Sequence, residues 1–238
     1  MHEHLPRSIE QIVEDQARRW AHVGHPEVPA PPRPVVTVSR QHGAGGGEVA
    51  RRLALELGFD FLDREIITEI ARSTHMSARV VGTLDEKDRD VLSDWLAAVA
   101  SDNYLSTAAY RAHLIRLVEV IANRGGAVIL GRGAHIILRS ARALRVFVVA
   151  PLEARIAEVS RREGSSETAA RRRIVEVEAE RRAFLARHFH ADSSDLSSFD
   201  IVVNTEVLGL TGAVAAARSA VEALSAGASL GLRRPGAS

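Results

Sequence analysis

Cysteine is absent from the 238-residue chain, which excludes disulfides, thiolate metal sites and cysteine nucleophiles. Lysine is almost absent. Lys87 is the only one, so nearly all positive charge is arginine, and chemistry that needs a lysine must use Lys87 or do without. Aromatic residues make up 4%, and Trp20 and Trp95 are too isolated to form a base-stacking platform. An excess of one charge sign is also missing: 31 basic residues against 30 acidic ones leave a net charge of +1. That argues against a dedicated nucleic-acid binder, which would carry a strongly basic face. No uninterrupted apolar run approaches the roughly 20 residues that span a bilayer. The N-terminus, MHEHLPRSIEQIVEDQARRW, carries acids and has no apolar h-region, unlike a secretory signal. The expectation is a cytoplasmic protein with neither membrane nor nucleic acid as partner.

What is present suits one α/β domain with a substantial core. Residues 8–20 can form a short amphipathic helix, and Pro26, Pro29, Pro31, Pro32 and Pro34 make a stiff linker after it. These readings set a leader at 1–34, a compact domain at 35–226 and a disordered Gly/Ala/Ser tail at 227–238. Short apolar runs at 35–39 (VVTVS), 59–62 (FDFL), 127–130 (AVIL), 144–150 (LRVFVVA) and 200–204 (DIVVN) read as five strands. Helical patterns lie between them: 47–57, most of 64–123, arginine-rich sequence before 200, and 210–224. Continuous apolar strands alternating with helices predict a three-layer fold, a five-stranded mostly parallel sheet with helices on both faces. Ligands on such sheets bind beyond the carboxyl ends of the strands. Here those ends read SRQHGAGGG, DRE, GRGA, APLEAR and NTE.

Ser39-Arg40-Gln41-His42-Gly43-Ala44-Gly45-Gly46-Gly47-Glu48 joins a strand to a helix. Glycines let backbone approach an anion, and the helix start offers free N–H groups and a favourable dipole, so the segment reads as a phosphate cradle. Two classes of cradle remain open. A dinucleotide loop wants G-x-G-x-x-G and an acid about 20 residues on; Gly43, Gly45 and Asp63 fit, but Glu48 holds the third glycine position. The short-chain dehydrogenase form is excluded, since neither Tyr104 nor Tyr110 precedes Lys87 in a Tyr-x-x-x-Lys pair. The P-loop pattern G-x-x-x-x-G-K-[ST] suits the wide exit from the strand better. Even so, Gly46 stands where its lysine belongs, and Glu48 stands near the magnesium-binding hydroxyl. The task of the missing lysine would fall to an arginine, with Arg40, Arg51 and Arg52 nearest.

VVTVSRQHGAGGGEVARRLALELGFDFLDREIITEIA resembles the opening of the cytidylate kinase-like family, which carries S-R-Q-x-G-[SA]-G-G in place of a complete Walker loop. The resemblance continues at AVILGRGAHIIL, VFVVAPLEARI, EVEAERRAFLARHF and FDIVVNTEVL. It implies a P-loop kinase-like fold with a helical acceptor region at about 64–123 and an arginine lid at about 160–195. It also implies ATP and Mg²⁺ as donor and cofactor, with small-molecule nucleotides as substrates, and leaves the oligomeric state open. Carried over, Ser39, Arg40, Gly43, Ala44, Gly45, Gly46, Gly47 and Glu48 would hold the donor phosphates. Asp63, with Arg64 beside it, would lie on the acceptor side. Gly131 and Arg132 match the G-R that contacts the acceptor monophosphate, and Glu178 and Arg181 match an acid-x-x-Arg pattern whose acid is usually aspartate. Cytidylate kinases follow G-R with aspartate where this chain has Gly133, so cytosine selectivity stays open.

Arginine suits these places, because its planar fork binds phosphate oxygens bidentately and stays charged. Phosphoryl transfer needs little beyond positioning and charge stabilisation, so Arg40, Arg132 and Arg181 are the candidate catalytic residues. The other arginines near the lid, Arg161, Arg162, Arg171, Arg172, Arg173 and Arg182, interleave with Glu163, Glu167, Glu176 and Glu180 as a solvated helix face would. His188-Phe189-His190 with Asp192 hints at a metal site, but such a pattern is usually incidental, and Lys87 sits in a charged surface turn. The leading expectation is transfer of the γ-phosphoryl of ATP to a nucleoside monophosphate such as CMP or dCMP. A nucleotide-binding regulatory protein without catalysis is the alternative, and an NAD(P)-dependent oxidoreductase a weaker one.

Overall fold

A computed structural model of the chain describes residues 33–63, 107–139 and 143–229. The expected N-terminal helix, Arg64, Lys87 and most of the tail lie outside the described residues. The chain divides into two compact units, one of residues 1–31 and 64–120, the other of residues 32–63 and 121–238. Of the first unit, the described part belongs to helix Thr107–Arg124, which buries Leu114, Leu117 and Val118 at the spacing that makes one face of a helix.

The second unit holds a five-stranded sheet of β1 (Val35–Arg40), β2 (Asp60–Leu62), β3 (Ala127–Leu130), β4 (Ala143–Val149) and β5 (Ile201–Asn204), in the order β2-β3-β1-β4-β5. Every pair is parallel, with Val36 opposite Val128 on one side and Leu144 on the other. The central strand is a β-branched run with Val35, Val36, Thr37 and Val38 all buried, as a strand covered on both faces requires. The P-loop kinase-like α/β expectation holds.

Helices α1 (Gly46–Leu57) and α6 (Thr205–Ser229), numbered with Thr107–Arg124 as α2, cover one face. Val49, Ala50, Leu53 and Ala54 of α1 and Ala213, Val214, Ala217 and Val221 of α6 share a core with Val36, Val38, Val128 and Val146. Emptying the Leu53 site alone would cost roughly 2–5 kcal/mol. Residues 205–226 are long and apolar enough by composition to cross a membrane, and their buried alanines and valines line this core. The segment Thr205–Ser229 is broken at the non-helical Gly209, so a short turn from Thr205 precedes a main helix that begins near 210, as expected.

On the other face, the short helix α3 (Ala134–Ile137) follows β3 and places His135 in a stack, His135 on Phe199 at 4.7 Å and Phe199 on Phe147 at 4.8 Å. After β4, α4 (Leu152–Glu163) and α5 (Glu167–Phe189) form a hairpin with its own core of Ile156, Val159, Ala170 and Ile174. Gly164 ends α4 in the left-handed conformation, and the Ser166 hydroxyl caps α5 by accepting from the Ala169 amide.

Candidate functional site

The loop from Gln41 to Gly45 leaves the carboxyl end of the central strand and enters α1 with no side chain capping that helix. The first-turn amides of Gly46 and Gly47 have no acceptor within the helix, as at any helix start. What distinguishes this loop is how its carbonyls are held. Arg181 donates to the Arg40 carbonyl at 2.9 Å, Arg155 to the His42 carbonyl at 3.3 Å and Thr205 Oγ1 to the Ala44 carbonyl at 2.9 Å. In a trans peptide the C=O of one residue and the N–H of the next point opposite ways. Three carbonyls anchored to α5, α4 and α6 therefore aim the amides of Gln41, Gly43 and Gly45 away from those anchors. The Gln41 amide closes onto Val148, which leaves Gly43 and Gly45 to join the first-turn amides. Fixed N–H groups at a helix N-terminus make an anion site.

Arg155 is the hub of this framework, with a side chain only 8% exposed. It donates to the Ala150 carbonyl at 3.0 Å, to the His42 carbonyl and to Glu178 Oε1 at 2.6 Å. Glu178 Oε1 also accepts from the His42 amide at 3.3 Å, so this acid of α5 sits directly on the loop. Gln41 completes the scaffold, its side-chain oxygen accepting from the Ala150 amide at 3.1 Å. Burial, with Arg181 adding to it, lowers the His42 pKa to about 4, so this loop histidine is neutral at pH 7.

The second wall is Gly131-Arg132-Gly133 at the end of β3, three consecutive residues with positive φ of 82°, 54° and 70°. A non-glycine residue in that region is uncommon, and such backbone marks sites that the surroundings hold in place. The Arg132 guanidinium lies 5.1 Å from the centre of the Phe184 ring on α5, a cation–π distance. Phe189, at the end of the same helix, packs so closely on Gly133 that a Cβ there would come within 2.9 Å of three ring carbons. The aspartate that cytidylate kinases carry at this position has no room.

The structure thus brings Arg40, Gly43, Gly45, Gly46, Gly47, Gly131, Arg132, Glu178 and Arg181 to the carboxyl end of the sheet. Ala44 contributes through its carbonyl. Ser39 turns to the opposite face, its Oγ 3.3 Å from His135 Nδ1, where burial followed by the nearby Arg145 lowers the His135 pKa to about 4. Asp63 lies just past β2, at the edge of the sheet and two strands from the loop. Glu48 does not face the loop interior as a phosphate-side group would. It pairs with Arg52 at 2.7 Å and Arg51 at 3.1 Å on its own helix, and the hydrogen bond from Arg52, above all, lowers its pKa.

Among the described residues no group of three or more His, Cys, Asp or Glu could hold a metal. His188 packs against Phe184 at 4.6 Å, His190 ends α5, and Asp192 binds Ser194. A protein-built magnesium site does not fit these residues, with Glu48 taken by arginines and Gly47 lacking a hydroxyl. Sequence reasoning missed Arg155 and Thr205. Both stand in the strand-end segments APLEAR and NTE, which was the available signal.

Three comparisons bear on this arrangement. The model of the cytidylate kinase-like family matches residues 35–207. A cytidylate kinase of Ignicoccus hospitalis is 26% identical over 176 residues, covering 74% of this chain and 91% of its own. One of Aeropyrum pernix is 28% identical over 171 residues, covering 71% and 88%. In fold, the chain is similar to the crystal structure of an uncharacterised protein from Eubacterium ventriosum, with a TM-score of 0.59 at 19% identity, covering 82% of this chain and 99% of that one.

Proposed function

The chain belongs to the cytidylate kinase-like family, and on that premise we propose that it transfers the γ-phosphoryl group of ATP to a nucleoside monophosphate, with CMP and dCMP the first candidates. The observation that carries the reading is the anchoring of the Arg40, His42 and Ala44 carbonyls by Arg181, Arg155 and Thr205. It preorganises the loop amides for the donor phosphates, and a cradle that needs no rearrangement stabilises transferring charge best.

In this reading the amides of Gly43, Gly45, Gly46 and Gly47 hold the β- and γ-phosphates of the donor. Arg132 grips the acceptor phosphate from the opposite wall. Arg181, already at the loop, spans the two with the negative charge that develops between them. Magnesium would arrive with the triphosphate and supply further charge neutralisation there. Phosphoryl transfer leaves little covalent chemistry for the protein, so no nucleophile is assigned and the serines have no role in transfer.

A second reading, binding without transfer, has one observation in its favour: the Glu178 carboxylate, bound to the His42 amide, places a negative charge beside the anion site. The dinucleotide reading is left without support, because the family is kinase-like and Glu48, at the third glycine position, is bound by arginines. The test is product formation from ATP, Mg²⁺ and a panel of monophosphates including CMP and dCMP, with Arg132→Ala alongside. Turnover that Arg132→Ala abolishes supports the kinase. ATP binding without turnover of any monophosphate would replace it with the regulatory reading.

A further inference from the structure

The loop keeps its cation at the end where a P-loop keeps a glycine. Setting Gly45 on the second glycine of G-x-x-x-x-G-K-[ST] puts Arg40 on the first glycine and Gly46 on the lysine. A glycine and a cation have changed places across the loop. Side chains alternate along a strand, so Arg40 shares the face of Val36 and Val38, the face that α1 covers. Gly46 opens α1 directly over it. A Cβ on Gly46 would overlap the Arg40 Cβ and lie 3.0 Å from its Cγ and 3.2 Å from the Val148 Cβ, well inside the roughly 3.5–4.0 Å of a favourable carbon contact. At its far end, Arg40 Nη1 would be 2.6 Å from a Cβ on Gly131. The Arg40 side chain therefore runs from beneath the helix start to the Gly131-Arg132-Gly133 wall, and each end of its path is cleared by a glycine.

We propose that Arg40 is the donor-phosphate cation of this site, and that the charge a P-loop carries on its lysine has been moved to the strand end rather than lost. Gly46 is then the condition for Arg40. A side chain at position 46 and an arginine at position 40 exclude one another, so a lysine cannot simply be returned to the loop. The guanidinium brings a fixed two-pronged donor that the ammonium lacks. Held between the loop and the β3 wall, it reaches phosphate from the floor of the site rather than from the helix side. The inference rests on the loop binding a nucleoside triphosphate and does not require transfer.

The test is a cycle of binding measurements on the full chain: calorimetric affinity for MgATP, and for inorganic tripolyphosphate, in the wild type, Arg40→Gly, Gly46→Lys and Arg40→Gly/Gly46→Lys. Glycine at position 40 keeps the carbonyl that Arg181 holds and removes the Cβ that blocks position 46. Each single substitution weakens binding by about tenfold to a hundredfold, the worth of one hydrogen bond to a charged group. The double substitution, which restores the usual pattern, recovers most of that loss. Gly46→Ala is read in both backgrounds, damaging beside Arg40 and much less so in Arg40→Gly, where only the 3.2 Å approach to the Val148 Cβ remains. Because it adds only a methyl, it keeps the test sharp should Gly46→Lys fail to fold. Gly46→Lys binding as tightly as wild type would overturn the proposal. So would Arg40→Gly binding normally, a double variant no better than the singles, or a wild type that binds neither probe. The expected pattern with no turnover of any monophosphate would sink the kinase reading and leave this one standing.

Discussion

The Arg155 guanidinium and the Glu178 carboxylate, 2.6 Å apart and joining α4 to α5, meet on the glycine loop after β1, one at the His42 carbonyl and the other at the His42 amide. Both sides of a single loop residue are thereby fixed by one ion pair. Removing one partner of a buried pair leaves an uncompensated charge, at up to about 3 kcal/mol for a pair this well covered. Glu178→Gln keeps the shape and loses the charge, so urea unfolding should show a loss of that order. Arg155→Met should lose more, because it also releases the Ala150 and His42 carbonyls. Equal losses for the two would mean that the loop bonds contribute nothing.

Thr205 tests the carbonyl framework at its least charged anchor. Thr205→Val is close to isosteric and removes the hydroxyl that donates to Ala44. Stability should fall by about 1 kcal/mol, the usual net worth of one such bond, while ATP affinity falls by a larger factor than stability alone explains. Unchanged affinity would show that the Ala44 peptide does not need to be held.

Gly133 and Gly164 share a left-handed backbone but differ in their surroundings. A Cβ at 133 meets the Phe189 ring, whereas at 164 nothing lies within 4 Å. Gly164→Ala should cost only the backbone term of about 1–2 kcal/mol. Gly133→Ala should cost that and an overpacking term of about 1–3 kcal/mol more. Melting curves of the two variants, compared directly, separate the effects. Similar losses would mean that Phe189 moves aside freely.

The pH dependence follows from His135 and His42, both held near pKa 4 against an ordinary 6.5, chiefly by burial. Between those values the unfolded chain binds protons that the folded one refuses. Stability is therefore intact above pH 6.5 and falls as the pH drops toward 4. For the deeply buried His135 the loss across that window is about 3 kcal/mol. His135→Phe keeps a ring against Phe199 and cannot titrate, so its stability should decline less between pH 6.5 and 4. The wild-type slope surviving in that variant would remove His135 as the cause.

The sheet is legible in the sequence because buried parallel strands read as short continuous apolar runs, and all five appear where VVTVS, FDFL, AVIL, LRVFVVA and DIVVN place them. The glycine loop is legible as well, since its signal is local. Its anchors are not. Arg155 bonds to His42 across 113 residues and Thr205 to Ala44 across 161, and no periodicity in the chain encodes such a pairing. Glu48 shows the opposite failure. Position in the motif points it at phosphate, yet Arg51 and Arg52, three and four residues on, capture it by ordinary helix geometry. Gly209 breaks α6, and the main helix after it begins near 210, where the sequence places it; only the short turn from Thr205 was not legible.

The central place of β1 sets the timetable for a chain emerging from the ribosome. Its neighbours are residues about 90 and 110 positions downstream, Val128 and Leu144 facing Val36. Every amide and carbonyl of VVTVS must wait for them. Until then an aliphatic strand with two open edges is available to any other extended segment, the situation in which long-range parallel sheets misassociate. Any truncated product that ends before β4 keeps that strand half-paired, so synthesis of this protein is most vulnerable in the interval between its first strand and its fourth.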